Sequence, residues 1–451
     1  MKKHTQSPYE SSKVSYKPSG IEWLGEIPHH WEVRRLKYLV KRIIGGGTPD
    51  TSNLQYWAND ENEGYLWVSI EDITNADFIT DTKRYINQSG LANSSAKLLP
   101  PFSILYSIYA SLGKIAYSNK TLATNQAILG IQPNELLFYK FLFYYLQNTT
   151  NHIISFSNTT TQNNISLFIV ANHKIPLPPL QEQKEIAEFL DKKCEKIQNY
   201  INKKQKLITL LQEKKQALIN EAVCGRVACH TERSEVSTTA YKPSGIEYLG
   251  LIPHHWEVKK LKHICKINPQ ANETLPNNFV YIDLESVIKG QLLKEQVINK
   301  EQAPSRAQRI LQKQDILFQL VRPYQRNNYI FNKNGDYVAS TGYAQIRTKE
   351  CVNFVYYALL ENSFVERVIL KSTGSNYPAI TSNDFADLKI PLPPLQEQKQ
   401  IANFLDEKCE KINSVIEKTK KQIELVKEYK NTLINEAVCG RINFLEGILN
   451  E

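Results

Sequence analysis

The residues best able to do chemistry in this 451-residue sequence come in pairs. His29-His30 and His254-His255 each sit between a proline and a tryptophan, in IPHHWEV at 27–33 and 252–258. Adjacent imidazoles suit proton transfer or metal binding, because histidine titrates near neutrality and ligates through a neutral ring nitrogen. The neighbouring carboxylates, Glu32 and Glu257, are too close along the chain to complete such a site, so the pairs read as seats for the tryptophans. Cys224, Cys229 and His230 come nearest to a zinc cluster but lack a fourth ligand. Asn268-Pro269-Gln270-Ala271 lacks the second proline and the aromatic with which an adenine amino-methyltransferase grips a flipped base. No G-x-x-x-x-G-K-[ST] loop occurs, and Gly45-Gly46-Gly47 reads as a turn. The seven cysteines form no C-x-x-C pair, which argues against a disulfide framework and common zinc modules.

What remains is binding chemistry. Lys and Arg outnumber Asp and Glu by 55 to 46, a formal charge of +9 that suits a polyanion. From Thr82 to Gln181 there is one acidic residue, Glu135, against seven Lys and Arg. Removing carboxylates lowers repulsion from phosphates, and Asn or Gln can pair with adenine edges. Candidates for DNA contact in this stretch are Tyr106, Tyr109, Lys114, Asn125, Gln126, Thr161, Gln162 and Asn163. SILYSIYASLGKIAYS and LATNQAILGI alternate as strands, with Gly113 and Lys114 near a turn. Between Arg306 and Arg347 lie seven basic residues and only Asp315 and Asp336. Here the candidates are Arg306, Arg309, Arg322, Tyr324, Gln325, Arg326 and Asn327, the last five around Pro323 in a predicted loop, followed by Lys371, Ser372 and Asn376. No apolar run reaches the roughly 18 residues that a membrane span needs, and MKKHTQSPYE lacks a signal peptide's apolar core, so the expected location is the cytoplasm.

These surfaces lie between repeated elements. Residues 16–39 recur at 241–264 with 18 of 24 positions identical, and 175–226 recur at 390–441 with 36 of 52 identical. The intervals between, 40–174 and 265–389, show no evident similarity. Two matching frames around two unlike inserts suggest a repeated scaffold carrying different reading surfaces. In the second frame, steps of three and four give a heptad seam through Leu190, Ile197, Ile201, Ile208, Leu211 and Leu218, and through Leu405, Ile412, Ile416, Ile423, Val426 and Leu433. Cys194, Lys204, Lys215 and Ala222, with Cys409, Thr419, Lys430 and Ala437, complete it. Pro176, Pro178 and Pro179 should stop any strand before the helix. Gly225 and Gly440 fit helix C-caps, with Arg226 and Arg441 at the negative end of the dipole. The span Leu180–Val223 would be about 66 Å long, too long for its stripe to face water, and the second copy is the obvious partner. The expected fold is α+β: two globular domains separated by two long helices in an antiparallel coiled coil, an internal pseudo-two-fold repeat.

IPLPPLQEQKEIAEFLD at 175–191 with its copy at 390–406, the two IPHHWEV segments, and two frames around two unlike inserts resemble the specificity subunits of type I restriction-modification enzymes. GGGTPDTSN, LWVSIEDI, TKRYINQSGL and ATNQAI at 45–127 are similar to one class of target recognition domain. VYIDLESV, PSRAQRILQKQDILFQLVRPYQRN and VASTGYAQI at 280–346 resemble another. SFSNTTTQNNIS at 155–166 and KSTGSNYPAIT at 371–381 lie where family members have a loop near DNA. The resemblance implies target recognition domains at 16–174 and 241–389, conserved helices at 175–226 and 390–441, a linker at 227–240, and tails at 1–15 and 442–451. It implies a non-catalytic chain that reads a bipartite asymmetric site in double-stranded DNA, with the helices as a ruler. Two methyltransferase subunits and two restriction (motor-nuclease) subunits would assemble around it. The chain would bind no cofactor or metal; S-adenosylmethionine, ATP and Mg would belong to the partners. The linker's CHTERSEVS has no place in the family pattern. Two rivals stay open: the reading chain of a two-chain type II enzyme, and a coiled-coil adaptor.

Overall fold

A computed structural model describes residues 15–155, 164–226, 240–270 and 274–442. The chain forms two units, one comprising residues up to Lys203 with those from Gln422 onward, the other Lys204–Lys421. Both 44-residue helices, Leu180–Val223 and Leu395–Val438, contribute to each unit. In the first unit, Leu190 and Cys194 share a core with Leu433, Ile434, Ala437 and Val438. In the second, Leu405 and Cys409 share a core with Ile219, Ala222 and Val223. A helix start therefore meets the other helix's end each time, and the pair is antiparallel.

The heptad positions account for this packing. Leu190, Ile201, Leu405, Ile412, Ile416, Ile423 and Leu433 are at most 9% exposed, and Ile197, Ile208, Leu211, Leu218 and Val426 are half-buried. Of the polar interruptions, Thr419 is buried and donates back to the Val415 carbonyl, while Lys215 Nζ finds Asn413 Oδ1 at 3.0 Å. Both helices end on a left-handed glycine, Gly225 at φ 69° and Gly440 at φ 71°. A Cβ at these positions would lie 2.4 Å from Pro253 Cγ and 2.5 Å from Pro28 Cδ, so glycine is required for space as well as for φ. Arg226 and Arg441 donate to the carbonyls of Leu249 and Leu24 at 2.6 and 2.8 Å.

The inserts share one antiparallel sheet that their sequences do not disclose. In the first unit one antiparallel sheet has the order 40–45, 128–133, 104–107, 115–117. In the second unit the order is 265–267, 343–348, 316–319, 329–330, again antiparallel. Each unit adds a second four-stranded sheet containing one parallel pair, 65–68 with 122–124 and 278–282 with 337–340. That pair lies at the sheet's edge in the first unit and at its centre in the second, so the common part is the antiparallel sheet, which carries unlike side chains in the two units.

The frames close each unit. Glu32–Arg35 pairs with Lys174–Leu177, and Glu257–Lys260 with Lys389–Leu392. Pro176 and Pro391 lie inside these strands rather than ending them, opposite Val33 and Val258. Each sheet has only two strands, so the missing N–H can face away from the partner. Trp31 and Trp256 are wholly buried, each donating its indole N–H to a helix glutamate, Glu182 or Glu397, at 3.0 Å. The other oxygen of each carboxylate meets His30 or His255 Nε2 at 2.8 and 2.9 Å. The second histidine of each pair thus helps to seat the tryptophan, through the glutamate that both meet.

One titratable group distinguishes the two units. His173, with Nε2 sealed from solvent and without a partner, is held down to about 4 by burial and then by the nearby His152. Its aligned residue in the second unit is Leu388. Between an ordinary value of 6.5 and about 4, the unfolded chain binds a proton that the folded unit refuses, so stability falls as pH falls through that window. Acidifying from pH 7 to 4 should cost the first unit roughly 3 kcal/mol, and His173→Leu should remove that sensitivity. Urea unfolding followed at several pH values checks this, and equal acid sensitivity in the variant contradicts it.

Candidate nucleic-acid interface

In the second unit the candidate surface is built from two loops that lie far apart in sequence. Val321 and Thr373 both form bridges with Ala379, and the Arg322 N–H donates to the Pro378 carbonyl at 2.7 Å. These bonds set the loop around Pro323 against 371–379, joining the two stretches predicted separately. Arg322 and Arg326 bracket the 3₁₀ turn Pro323–Gln325, both in the left-handed region at φ 54°. Non-glycine residues there store strain that surrounding contacts must hold.

The two arginines have different fates. Arg326 points inward, donating to Asn362 Oδ1 at 2.8 Å and to the Leu360 carbonyl at 3.3 Å, and burial lowers its pKa. It anchors the loop and does not present a free guanidinium. Arg322 stacks its guanidinium 4.2 Å from the centre of the Tyr377 ring, which is 65% exposed. Its Nε is sealed without a partner. Stacking on an aromatic face fixes the plane of the fork, the geometry useful against a base edge or a phosphate. Tyr324 is exposed, and Gln325 is exposed while its Oε1 accepts from Gln319 Nε2 at 2.9 Å. Asn327 accepts from the Lys289 N–H at 3.1 Å. Lys371 and Asn376 are exposed; Ser372 is half-buried and donates to the Val368 carbonyl at 2.8 Å. Arg306 is exposed on the approach to strand Ala307–Ile310, whereas Arg309, on that strand, has its Nε sealed and its pKa lowered by burial.

In the first unit Tyr106 is a core side chain, fully buried on strand Ile104–Ser107, with burial pushing its hydroxyl up to about 12. It is not a contact residue, because strand Ile104–Ser107 is buried on both faces, with Ile104 and Tyr106 in one core and Leu105 in another. Tyr109 and Lys114 are exposed on the turn that follows, where Gly113 takes φ 73°. The Ile108 N–H donates to the Ala127 carbonyl at 2.9 Å, holding this turn to the loop of Asn125 and Gln126. Asn125 caps that loop, its Oδ1 accepting from the Ala127 N–H at 3.1 Å. Gln126 is exposed, and its Oε1 accepts from the Thr48 hydroxyl. Gly46 explains how the segment bearing Thr48 comes so close: a Cβ there would lie 2.2 Å from the Asn125 and Thr124 carbonyl oxygens. Thr161, Gln162 and Asn163 lie outside the described residues. The sequence reading missed Thr48 and Tyr377; the signals were a glycine run beside a threonine, and a tyrosine within the quoted loop at 371–381.

Among the described residues no group of three or more His, Cys, Asp or Glu is placed to hold a metal ion. Cys224 is buried, with its thiol pushed up to about 12, while Cys229 and His230 lie outside the described residues. Asn268 has a structural partner on each side, donating to Ser382 Oγ at 2.9 Å and accepting from the Gln345 N–H at 3.0 Å. No helix among the described residues is long and apolar enough to cross a membrane.

Two frame-bound units thus each present polar loops that carry the exposed candidate residues. The profile of the type I restriction modification DNA specificity domain matches residues 28–212 and 253–425, and the chain belongs to that family. It is a DNA sequence-specificity subunit of a type I restriction-modification system. Among its relatives is the type I restriction enzyme MjaVIII specificity subunit of Methanocaldococcus jannaschii, 25% identical over 92% of this chain and 94% of that one. The putative MjaX specificity subunit of the same organism is 27% identical over 93% and 95%. The fold is similar to a chain solved in a study of complex assembly and conformational transition of the type I R-M system, with TM-score 0.67 and 18% identity over 92% of this chain and 99% of that one. It is also similar to the HsdS subunit from Thermoanaerobacter tengcongensis, with TM-score 0.50 and 17% identity over 92% and 98%.

The stacked pair gives a coupling test. Arg322→Ala and Tyr377→Ala should each weaken binding of a duplex bearing the chain's own site by about five- to tenfold, in the range of one cation–π contact and the contact it orients. Tyr377→Phe should bind as the wild type does. The double variant should be no weaker than Arg322→Ala alone, because the tyrosine acts through the arginine. Additive losses in an equilibrium titration would show that the two side chains act separately.

Proposed function

We propose that the chain reads a bipartite, asymmetric site in duplex DNA, one half through each unit, and has no catalytic centre of its own. Its role is to hold two methylating subunits and two motor-nuclease subunits over that site. The observation that carries this reading is one antiparallel four-stranded sheet used twice, framed by near-identical segments and faced with unlike polar loops. Equal scaffolds suit equal partners, and unlike loops suit an asymmetric sequence. S-adenosylmethionine, ATP and Mg are then cofactors of the partner subunits, which work with this chain in the cytoplasm. Exposed apolar side chains on the helices favour their use as docking faces: Leu425 and Tyr429 in the first unit, Leu207, Leu210 and Val415 in the second.

Expression with the methylating partner, followed by genome-wide mapping of N6-methyladenine, tests the reading. It predicts one two-part motif with an unread spacer of constant length, and neither methylation nor cleavage by the purified chain alone. A single continuous motif, or activity of the chain alone, would favour an enzyme of another class. Absence of salt-sensitive DNA affinity would favour an adaptor.

A further inference from the structure

The two copies of the first frame differ at six of 24 positions. Three of the six, Arg34, Arg35 and Tyr38, line one open pocket of about 620 Å³ with Val33 and Lys174. Their counterparts in the second unit are Lys259, Lys260 and His263. Half of the differences in this segment therefore fall on one cavity, where two keep the charge while changing an ammonium for a guanidinium and the third changes His263 for Tyr38.

The charges around the pocket are unbalanced. Arg35 and Lys174 face each other as cross-strand partners, an arrangement in which like charges repel. The second unit has the same problem, with Lys260 opposite Lys389. There Asp387 answers it, lying 3.2 Å from Lys260 Nζ and 2.7 Å from Lys262 Nζ. The residue aligned with Asp387 is Asn172, whose neutral Oδ1 is 3.4 Å from an Arg35 nitrogen. Arg34 is paired with Glu32 at 2.8 Å, as Lys259 is with Glu257 at 2.7 Å. Lys174 Nζ meets the Gly20 carbonyl at 2.9 Å. Among the described residues, neither Arg35 nor Lys174 has a carboxylate partner. Tyr38, 62% exposed, borders the pocket, and Phe168, 75% exposed, stands on the helix Leu167–Asn172 that carries Asn172.

We propose that this pocket binds a backbone phosphate of duplex DNA, outside the bases that the first unit reads. A guanidinium beside an ammonium, with no internal counter-charge, suits a phosphate oxygen pair. The helix bearing Asn172 directly follows residues 155–166, and the Ile165 N–H donates to the Ile108 carbonyl at 3.2 Å, beside Tyr109. The pocket is thus continuous along the chain with the candidate reading surface of the same unit. A partner subunit present twice would meet matching chemistry on both frames, and this chemistry stands on one. The inference rests on the reading that the chain binds duplex DNA.

The test uses the full chain and a random-sequence duplex titrated at a series of salt concentrations, since phosphate contacts are independent of sequence. Asn172→Asp installs the carboxylate that the second unit already has, at a half-buried helix end where it also gives up the Asn172 Nδ2 bond to the Phe168 carbonyl, so urea unfolding of the variant is followed beside its binding. It should weaken binding about three- to tenfold at low salt and flatten the slope of log K against log salt by about 0.9, the share of one phosphate. Arg35→Gln should do the same. Lys260→Gln, whose charge Asp387 already offsets, should change neither quantity. Wild-type binding with unchanged slopes in Asn172→Asp and Arg35→Gln would overturn the pocket while leaving the DNA reading intact. No salt-dependent binding by the wild type would overturn both. Loss of a partner subunit's binding with DNA affinity unchanged would assign the pocket to an acidic protein surface and overturn the proposal.

Discussion

A buried tryptophan held by a helix carboxylate is the contact on which each unit depends. Glu182 accepts from the Trp31 indole at 3.0 Å and its other oxygen lies 2.8 Å from His30 Nε2, and Glu397 repeats both contacts with Trp256 and His255. The carboxylate sits in the first turn of its helix, where the dipole favours negative charge. Removing it would strand a buried N–H at a cost of about 1–3 kcal/mol. The adjacent glutamine completes the lock. Gln183 donates to the Leu136 and Pro178 carbonyls at 2.9 Å and accepts from the Phe138 N–H at 2.7 Å. Gln398 does the equivalent with the Pro393 carbonyl and the Cys351 N–H. The LQEQ segment is therefore a clip that ties frame strand, insert and helix together.

That clip frees the inserts to differ. Strand pairing needs backbone groups, and the two four-stranded sheets of each unit supply them whatever side chains they carry. Surface loops can then vary without loss of the core, as reading surfaces for different sequences require. The close approach of Gly46 to the Thr124–Asn125 backbone and the left-handed Arg322 and Arg326 are local devices of the two inserts, each setting its own loops. Strain in the second insert is retained where the Arg322 guanidinium is aimed by Tyr377.

The helices were legible in the sequence because a heptad stripe has one physical use, and its positions Leu190 through Leu433 are those withdrawn from solvent. The glycine caps were legible for the same kind of reason, since only a residue without Cβ fits against Pro28 and Pro253. The common topology of the inserts was not, because parallel and antiparallel pairings of short strands leave no periodic mark that survives divergence. Proline at 176 misled, since the rule against proline in a ladder weakens in a sheet of two strands. Among candidate contacts, residue type alone could not separate Arg326, turned inward to Asn362, from Arg322, stacked outward on Tyr377. Nor could it show that the strand of Tyr106 is covered on both faces. Such distinctions depend on backbone angles and strand facing, which composition does not carry.

The central claim is that two units of one fold read independently. Exchanging residues 265–389 for the corresponding insert of a relative, and mapping N6-methyladenine in cells that also carry the methylating partner, tests it most directly. The account predicts that one half of the methylated motif changes while the other half and the unread spacer stay as they were. Simultaneous change in both halves would contradict it.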